Sequence, residues 1–287
     1  MVTLTSVLTQ QRPKEAAFLF PGVSWQTFKA LLVDLEEDYK LSIAYNQVGL
    51  EIRVPLQEPE IHEQSTSTEL SLQVASVTLK KVSWQTYQAL IGEVGGDRAW
   101  RIAYDRGVLE IRMPLEEHEE PKELIVDFVT VMVDELGIEI RKLGALTLER
   151  EDLNRAIEPD TCFYIQNEAL VRGRKINLPF DPPPDLAVES DYTSSSINKH
   201  ALYAAIAVPE LWRYRKQTLE IYRLTASSDP GQGKALERKY ELSEQSLAFP
   251  FLPIAEVPAF IEQSRTIGQR AAVRLFQARI REILLGQ

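Results

Sequence analysis

Two segments of this chain occur twice, at a constant spacing of 59 residues. Residues 23–32, VSWQTFKALL, return at 82–91 as VSWQTYQALI, with seven of ten positions identical. Residues 41–56, LSIAYNQVGLEIRVPL, return at 100–115 as WRIAYDRGVLEIRMPL, with nine of sixteen identical. Because the spacing is the same for both segments, the repeat indicates one duplicated structural unit, and the two copies are expected to fold alike.

Each copy predicts a short amphipathic helix followed by a β-hairpin. Ser24 and Ser83 precede the two helices, and serine is favoured as an N-cap because its hydroxyl accepts a hydrogen bond from a free backbone N–H. Polar turns near residues 46 and 106 then join two short apolar strands. Trp25 and Trp84 recur with the hydrophobic pattern of each helix, so we expect both in the core.

The rest of the chain predicts a mixed α/β or α+β architecture. A strongly apolar helical pattern covers 121–136, and short strand patterns follow it up to Glu189. The Ser/Thr cluster at 193–196 predicts the cap of a helix that runs to residue 206. Further strands and a C-terminal helix over 266–285 complete a pattern that is typical of a mixed sheet flanked by helices.

Charge argues weakly against a nucleic-acid partner. The net charge is −10, but residues 1–140 hold 12 basic and 23 acidic residues, a net −11, so the rest of the chain is close to neutral. Arg213, Arg215 and Lys216 form a small basic cluster within that neutral part. Such a cluster can meet phosphates, or it can simply be a solvated strand end.

The compartment is constrained by what the sequence lacks. Cys162 is the single cysteine, so no intrachain disulfide can form, which fits a reducing cytoplasm. No apolar run approaches the roughly 20 residues that a membrane helix needs. The N-terminus also lacks the basic and apolar regions of a signal peptide. We therefore expect a cytoplasmic protein with no membrane partner.

Two isolated acids stand at the ends of apolar strands. Asp160 opens the strand TCFYI, and Glu189 follows the run LAV, with Lys199 on the next predicted helix. A buried carboxylate is costly unless it is paired or holds a metal. Two acids and a nearby ammonium therefore fit a divalent-metal site, and they fit a buried ion pair equally well.

Three stretches of the chain resemble the Uma2-like endonuclease family. They are RGVLEIRMPLEEHEEPKELI, EPDTCFYIQN and PPPDLAVESDYTSSSINKHALYAAIAVPELWRY, which extend the resemblance over residues 80–260. The family belongs to the PD-(D/E)XK nuclease superfamily. The resemblance implies a restriction-endonuclease-like core with a mixed sheet flanked by helices, and it implies metal-dependent hydrolysis of DNA that leaves a 5′-phosphate.

The resemblance also assigns site residues. Asp160 matches the PD element and Glu189 the second acid, and these two would hold Mg²⁺ or Mn²⁺ together with a backbone carbonyl next to Glu189. The superfamily pattern has a lysine two residues later, where this chain has Asp191. Lys199, on the following helix, is the substitute that the resemblance offers, with the role of orienting the attacking water and stabilising the transition state.

The helix upstream should supply a further polar residue near the metal, with His118 and Glu123 as the candidates and a solvated helix start as the alternative. Asp191 is a third additional candidate. Many relatives carry an acid where this chain has Arg101, so we expect no carboxylate from that strand. The other histidines have no ligand spacing, which argues against zinc.

We divide the chain into three parts. Residues 1–75 are a degenerate copy of the helix-hairpin unit, 76–260 form the nuclease-like domain, and 261–287 form a C-terminal helix that could make a homodimer. The preferred function is a DNA endonuclease. The alternative is a catalytically decayed protein of the same fold that acts as a binding or assembly module, which the acidic charge and the displaced lysine favour. A glycosidase built on two carboxylates is weakly supported, because no aromatic-rich sugar cleft is visible.

Overall fold

The computed structural model describes residues 15–35, 41–46, 48–55, 76–96, 98–113, 116–190, 195–226 and 238–286. Its strands are β1 (Glu15–Pro21), β2 (Ser42–Asn46), β3 (Gly49–Pro55), β4 (Ser76–Leu79), β5 (Arg101–Asp105), β6 (Val108–Arg112), β7 (Arg141–Lys142), β8 (Leu148–Arg150), β9 (Arg155–Ile157), β10 (Thr161–Tyr164), β11 (Leu186–Ser190), β12 (Glu210–Arg215), β13 (Thr218–Ala226) and β14 (Arg238–Ser243). Its α-helices are α1 (Trp25–Asp34), α2 (Trp84–Val94), α3 (Glu116–Leu136), α4 (Glu168–Val171), α5 (Lys199–Ile206), α6 (Val257–Ile267) and α7 (Gln269–Leu285).

The two sequence repeats fold in the same order of elements. Each has a strand, a helix and a hairpin, as β1-α1-β2-β3 in the first copy and β4-α2-β5-β6 in the second. In both sheets the last strand lies in the middle, with the orders β1-β3-β2 and β4-β6-β5. The strand before the helix is therefore an addition to the helix-hairpin unit that the sequence predicted, and it gives each hairpin a third strand.

The two copies exchange helix caps. The backbone N–H and the hydroxyl of Ser24 donate to the Glu93 carboxylate at the end of α2, both at 2.8 Å. Ser83 donates in the same way to Asp34 at the end of α1, at 2.8 and 2.9 Å. Asp34 and Glu93 are themselves related by the 59-residue spacing. Each helix therefore satisfies free N–H groups of the other, where negative charge is also favoured by the helix dipole.

One apolar cluster joins the two copies, because it contains Phe20 and Leu50 of the first and Leu79 and Trp100 of the second. The described strands of the first copy nevertheless form a sheet of their own, separate from that of the second copy. Whether residue 75 is a domain boundary stays a prediction.

The expectation that Trp25 is a core residue is wrong. Its side chain packs against the rings of Phe28 and Tyr45, at 5.1 and 5.3 Å, but it is 55% exposed. Its counterpart Trp84 is only 7% exposed. The surroundings of the two tryptophans differ, since β9 and β8 extend the second sheet beyond β5, and Asn154 in the turn between them lines the same cavity as Trp84. The first sheet has no such extension in the described residues.

The third sheet has six strands, in the order β14-β13-β12-β11-β10-β7. Only β11 and β12 run parallel, and the other described pairs are antiparallel. The apolar face of α3, together with α6 and α7, covers one side of this sheet in the largest core cluster. Helix α5 covers the other side. This is a mixed α+β architecture with helices on both faces of a mixed sheet, as the sequence predicted.

Two helix boundaries differ from the predictions. Helix α3 begins at Glu116, and Pro121 stands inside it and removes only one backbone donor near its start. The C-terminal helix is two helices, because Gly268 ends α6 with φ +87°, a conformation that favours glycine. Within the described residues, no helix is both long enough and apolar enough to cross a bilayer.

Candidate active site

Glu189 lies at the end of β11, on the face that α5 covers. Along this strand Leu186 and Val188 point to the α3 side, and Ala187 points to the α5 side, so the alternation places Glu189 towards α5. Glu189 is only 2% exposed. A buried carboxylate needs compensating partners, and α5 supplies two of them.

Those partners are Lys199 and Tyr203, four residues apart on one face of α5. The Lys199 ammonium donates to Glu189 Oε2 at 2.6 Å, and its side chain is 10% exposed. The Tyr203 hydroxyl donates to Glu189 Oε1. Burial, followed by the Glu189 charge, raises the pKa of Tyr203 well above its usual value. The phenol therefore stays protonated and fixes the orientation of the carboxylate.

Asp160 precedes β10 and is joined to the strand that carries Glu189. Its Oδ2 accepts a hydrogen bond from the backbone N–H of Ser190 at 2.7 Å. Upstream, Glu158 is buried in an ion pair with Arg98 and accepts from the Ile102 backbone N–H at 3.2 Å. These bonds hold the segment that carries Asp160 between the second and third sheets.

Arg112, at the end of β6, lies between the two acids. One guanidinium nitrogen is 3.7 Å from Asp160 Oδ1 and 3.5 Å from Glu189 Oε2. All three side chains are largely buried, with exposures of 13%, 13% and 3%. The two carboxylates thus face a common cationic point, and the second repeat contributes the cation.

Lys199 is the first residue of α5, and Asn198 caps the helix by accepting from the Ala201 N–H at 3.1 Å. The prediction that the Ser/Thr cluster caps this helix is therefore wrong for the residues of it that are described. Ser195 and Ser196 instead donate to Glu110 on β6. A lysine at a helix N-terminus is disfavoured by the dipole, and the contact with Glu189 offsets this cost.

The structure thus brings Asp160, Glu189 and Lys199 into one cluster. Of the other three candidates, only Glu123 is described with its side chain. Asp191 lies outside the described residues, and His118 is described only in its backbone, as part of α3. Glu123 is 65% exposed and its carboxylate is 3.2 Å from Lys122 Nζ. Among the described residues, no group of three or more His, Cys, Asp or Glu side chains could hold a metal.

Sequence reasoning missed Arg112, Glu110 and Tyr203. A signal for the first two was present, because Glu110 and Arg112 alternate with the buried Leu109 and Ile111 and so share the other face of β6. Nothing in the sequence showed that this face would meet β10, β11 and the start of α5.

Cys162 stands two residues after Asp160 but has no role as a nucleophile. Its side chain is fully buried, and burial raises the pKa of the thiol to about 12. The reactive thiolate is therefore scarce at neutral pH.

A family model and a solved structure are similar to this chain. A family model described as "Uma2: Putative restriction endonuclease" matches residues 84–253, which include every residue of the cluster and exclude the first repeat. The structure is similar to a solved one described as "a putative nuclease belonging to DUF820 from Anabaena variabilis ATCC 29413", with 17% identity and a TM-score of 0.35, covering 60% of this chain and 90% of that one. No curated protein sequence matches. Since the model spans more than half of the chain, the protein belongs to the Uma2 family of restriction-endonuclease-like proteins.

Proposed function

We propose that this protein is a metal-dependent endonuclease that hydrolyses phosphodiester bonds of DNA, with Asp160, Glu189 and Lys199 as its catalytic residues. One observation carries the proposal: two carboxylates from neighbouring strands face a common point, with a lysine ammonium 2.6 Å from one of them. Membership in the Uma2 family supports the same reaction class.

The geometry and the chemistry of the two acids support a divalent cation as their ligand. Asp160 Oδ1 and Glu189 Oε2 both approach one nitrogen of Arg112, so a positive charge is already favoured where they meet. Carboxylate oxygens are the hard ligands that Mg²⁺ and Mn²⁺ prefer. We therefore propose Asp160 and Glu189 as the metal ligands, and a bound Mg²⁺ would supply neutralisation of the charge on the scissile phosphate.

The chain's own groups have separate roles in this proposal. Lys199 is held in place by Glu189 and would stabilise negative charge on the phosphoryl oxygens as the attacking water approaches. Tyr203 keeps the Glu189 carboxylate in one orientation. Glu110 binds Ser195 and Ser196 and so fixes the segment that leads into Lys199.

A non-catalytic binding module is the second candidate, and Arg112 is the observation that favours it. The charges of Asp160 and Glu189 are already balanced by Arg112 and Lys199, so the cluster is also complete as a buried ion network. In this case the fold would bind a partner without hydrolysing it. Homodimerisation through the C-terminal helix and a cytoplasmic location stay predictions from the sequence.

Incubation with supercoiled plasmid DNA separates the two candidates. If the protein is a nuclease, we expect nicked and linear products with Mg²⁺ or Mn²⁺ and none with EDTA. The Glu189→Gln variant should give no products with either metal. If the wild-type protein gives no products with either metal, on plasmid or on short duplexes, the non-catalytic candidate is the better one.

A further inference from the structure

A cavity of about 240 Å³ adjoins the catalytic cluster on the α5 face of the third sheet. Glu189 and Lys199 form one part of its wall, and Arg213 and Arg215 of β12 form another. Leu211, Arg213 and Arg215 alternate with Trp212 and Tyr214, which belong to the core on the α3 side. The two arginines therefore point to the side of the sheet that carries Glu189.

The register fixes where each arginine stands relative to the catalytic acid. Glu189 pairs with Arg213 across the parallel β11–β12 ladder, so the two side chains are neighbours on one face. Arg215 follows two residues later, about 6.6 Å further along the strand. The two arginines thus form a row that leads away from Glu189. A nucleic-acid backbone that enters the site would follow the same direction.

Arg213 and Arg215 form no ion pair within 4.0 Å in the part of the chain that the structure describes, although the Arg213 side chain is hydrogen-bonded to Tyr222. The Arg215 Nε and His200 Nε2 atoms are also buried without a hydrogen-bond partner there. Glu220 lies opposite Arg213 on β13 but accepts from the Tyr222 hydroxyl at 3.0 Å. Buried polar atoms without partners are uncommon, and the Arg215 Nε–H beside a cavity fits an anionic ligand.

His200 lines the same cavity and does not add a full charge at neutral pH. Burial, followed by the Arg213 charge, lowers the pKa of His200. The lining then carries the charges of Lys199, Arg213 and Arg215 against that of Glu189, and Glu220 of β13 adds a negative charge opposite Arg213. Arginine binds phosphate through two parallel N–H···O hydrogen bonds, so this lining fits a phosphate better than it fits an uncharged ligand.

We propose that this cavity is a phosphate-binding subsite, in which Arg213 and Arg215 bind the backbone phosphate next to the scissile one. The identity of the ligand as a nucleic acid rests on the proposed function, whereas anion binding by the two arginines does not. The subsite positions the strand so that the scissile phosphate meets Asp160, Glu189 and Lys199.

The test measures binding of a short fluorescein-labelled DNA duplex by anisotropy, in EDTA and over a range of salt concentrations. The double variant Arg213→Gln/Arg215→Gln should bind at least fivefold more weakly. The slope of log K against log salt should also become shallower by about 0.9, as one phosphate contact is lost. Arg213→Lys/Arg215→Lys should keep the slope and recover part of the affinity.

Arg223→Gln is the matched control, because Arg223 lies on the adjacent β13 but does not line the cavity. Unchanged affinity and slope in the double glutamine variant would overturn the proposal, and so would an equal loss in Arg223→Gln. Inorganic phosphate should compete for the wild type. If phosphate bound through the two arginines while duplex binding did not depend on them, the nucleic-acid ligand would be ruled out.

Plasmid cleavage separates this inference from the proposed function. Arginine-dependent duplex binding without any cleavage would sink the nuclease proposal and leave the subsite standing. Cleavage by the double glutamine variant with an unchanged KM would support the nuclease proposal and overturn the subsite.

Discussion

The two repeats of this chain carry the same Glu-Ile-Arg segment and use it differently. In the first copy Glu51 and Arg53 pair with each other at 2.7 Å on the surface, with side-chain exposures of 20% and 51%. In the second copy their counterparts, Glu110 and Arg112, bind different partners. Glu110 binds the segment before α5, and Arg112 bridges the candidate catalytic acids.

The difference shows that the strand's own sequence does not make the site. The face of β6 that carries Glu110 and Arg112 is covered by β11 and the start of α5, which have no counterpart in the first repeat. In their helix caps the copies remain equivalent, since each caps the helix of the other with an acid at the same repeat position. Both copies therefore share a fold, and only the second contributes side chains to the candidate site.

The largest effect should come from an acid that the first copy lacks altogether. Glu189→Gln keeps the shape of the side chain but removes the charge that Lys199 and Tyr203 compensate. We expect no measurable plasmid cleavage and an unchanged circular dichroism spectrum. A folded Glu189→Gln protein that cleaves at the wild-type rate would show that the acids are not catalytic.

A smaller but still large effect is expected at Lys199. Lys199→Met keeps much of the side-chain length and removes the ammonium, so the rate should fall roughly 10²–10³-fold, as when one transition-state donor is lost. Mn²⁺ binding should persist, because Lys199 is not a proposed ligand. Single-turnover cleavage together with an Mn²⁺ titration distinguishes this result from general unfolding; a rate within twofold of the wild type would remove Lys199 from the mechanism.

The two arginines of the repeat give a matched pair of variants. Arg112→Gln removes a unit positive charge within 4 Å of both proposed ligands, so Mn²⁺ should bind about tenfold more tightly. Arg53→Gln should leave the affinity unchanged, because Arg53 contacts Glu51 at the surface. Isothermal titration of both variants measures the contrast. Equal affinities would mean that Arg112 does not compete with the metal.

The smallest effect should be the same in both copies. Ser24→Ala and Ser83→Ala each remove an N-cap and a bond to the acid of the other helix. Each should lower the free energy of unfolding by about 1 kcal/mol, the usual cost of losing a serine cap. Urea unfolding measures this, and cleavage should not change. Unequal losses would show that the two caps are not equivalent.

The sequence predicted the duplicated helix and hairpin, because the repeat and the capping serines are local signals. The family resemblance pointed to Asp160, Glu189 and Lys199 as candidates; the fold brings these side chains together, and their catalytic roles stay predictions. The sequence could not predict the role of Arg112, since this depends on which strands cover β6. The exposure of Trp25 was missed for a related reason: the hydrophobic pattern of a helix does not reveal whether a neighbouring strand will extend its sheet.

We propose that Asp160 and Glu189 hold a divalent cation in a site that the first repeat does not share. Mn²⁺ binding followed by electron paramagnetic resonance tests it without reference to cleavage, on the wild type, Asp160→Asn and the surface control Glu51→Gln. We predict saturable binding of Mn²⁺ by the wild type and by Glu51→Gln, and at least a hundredfold loss of affinity in Asp160→Asn. Binding by Asp160→Asn as tight as that of the wild type, or no saturable binding by the wild type, would contradict the account.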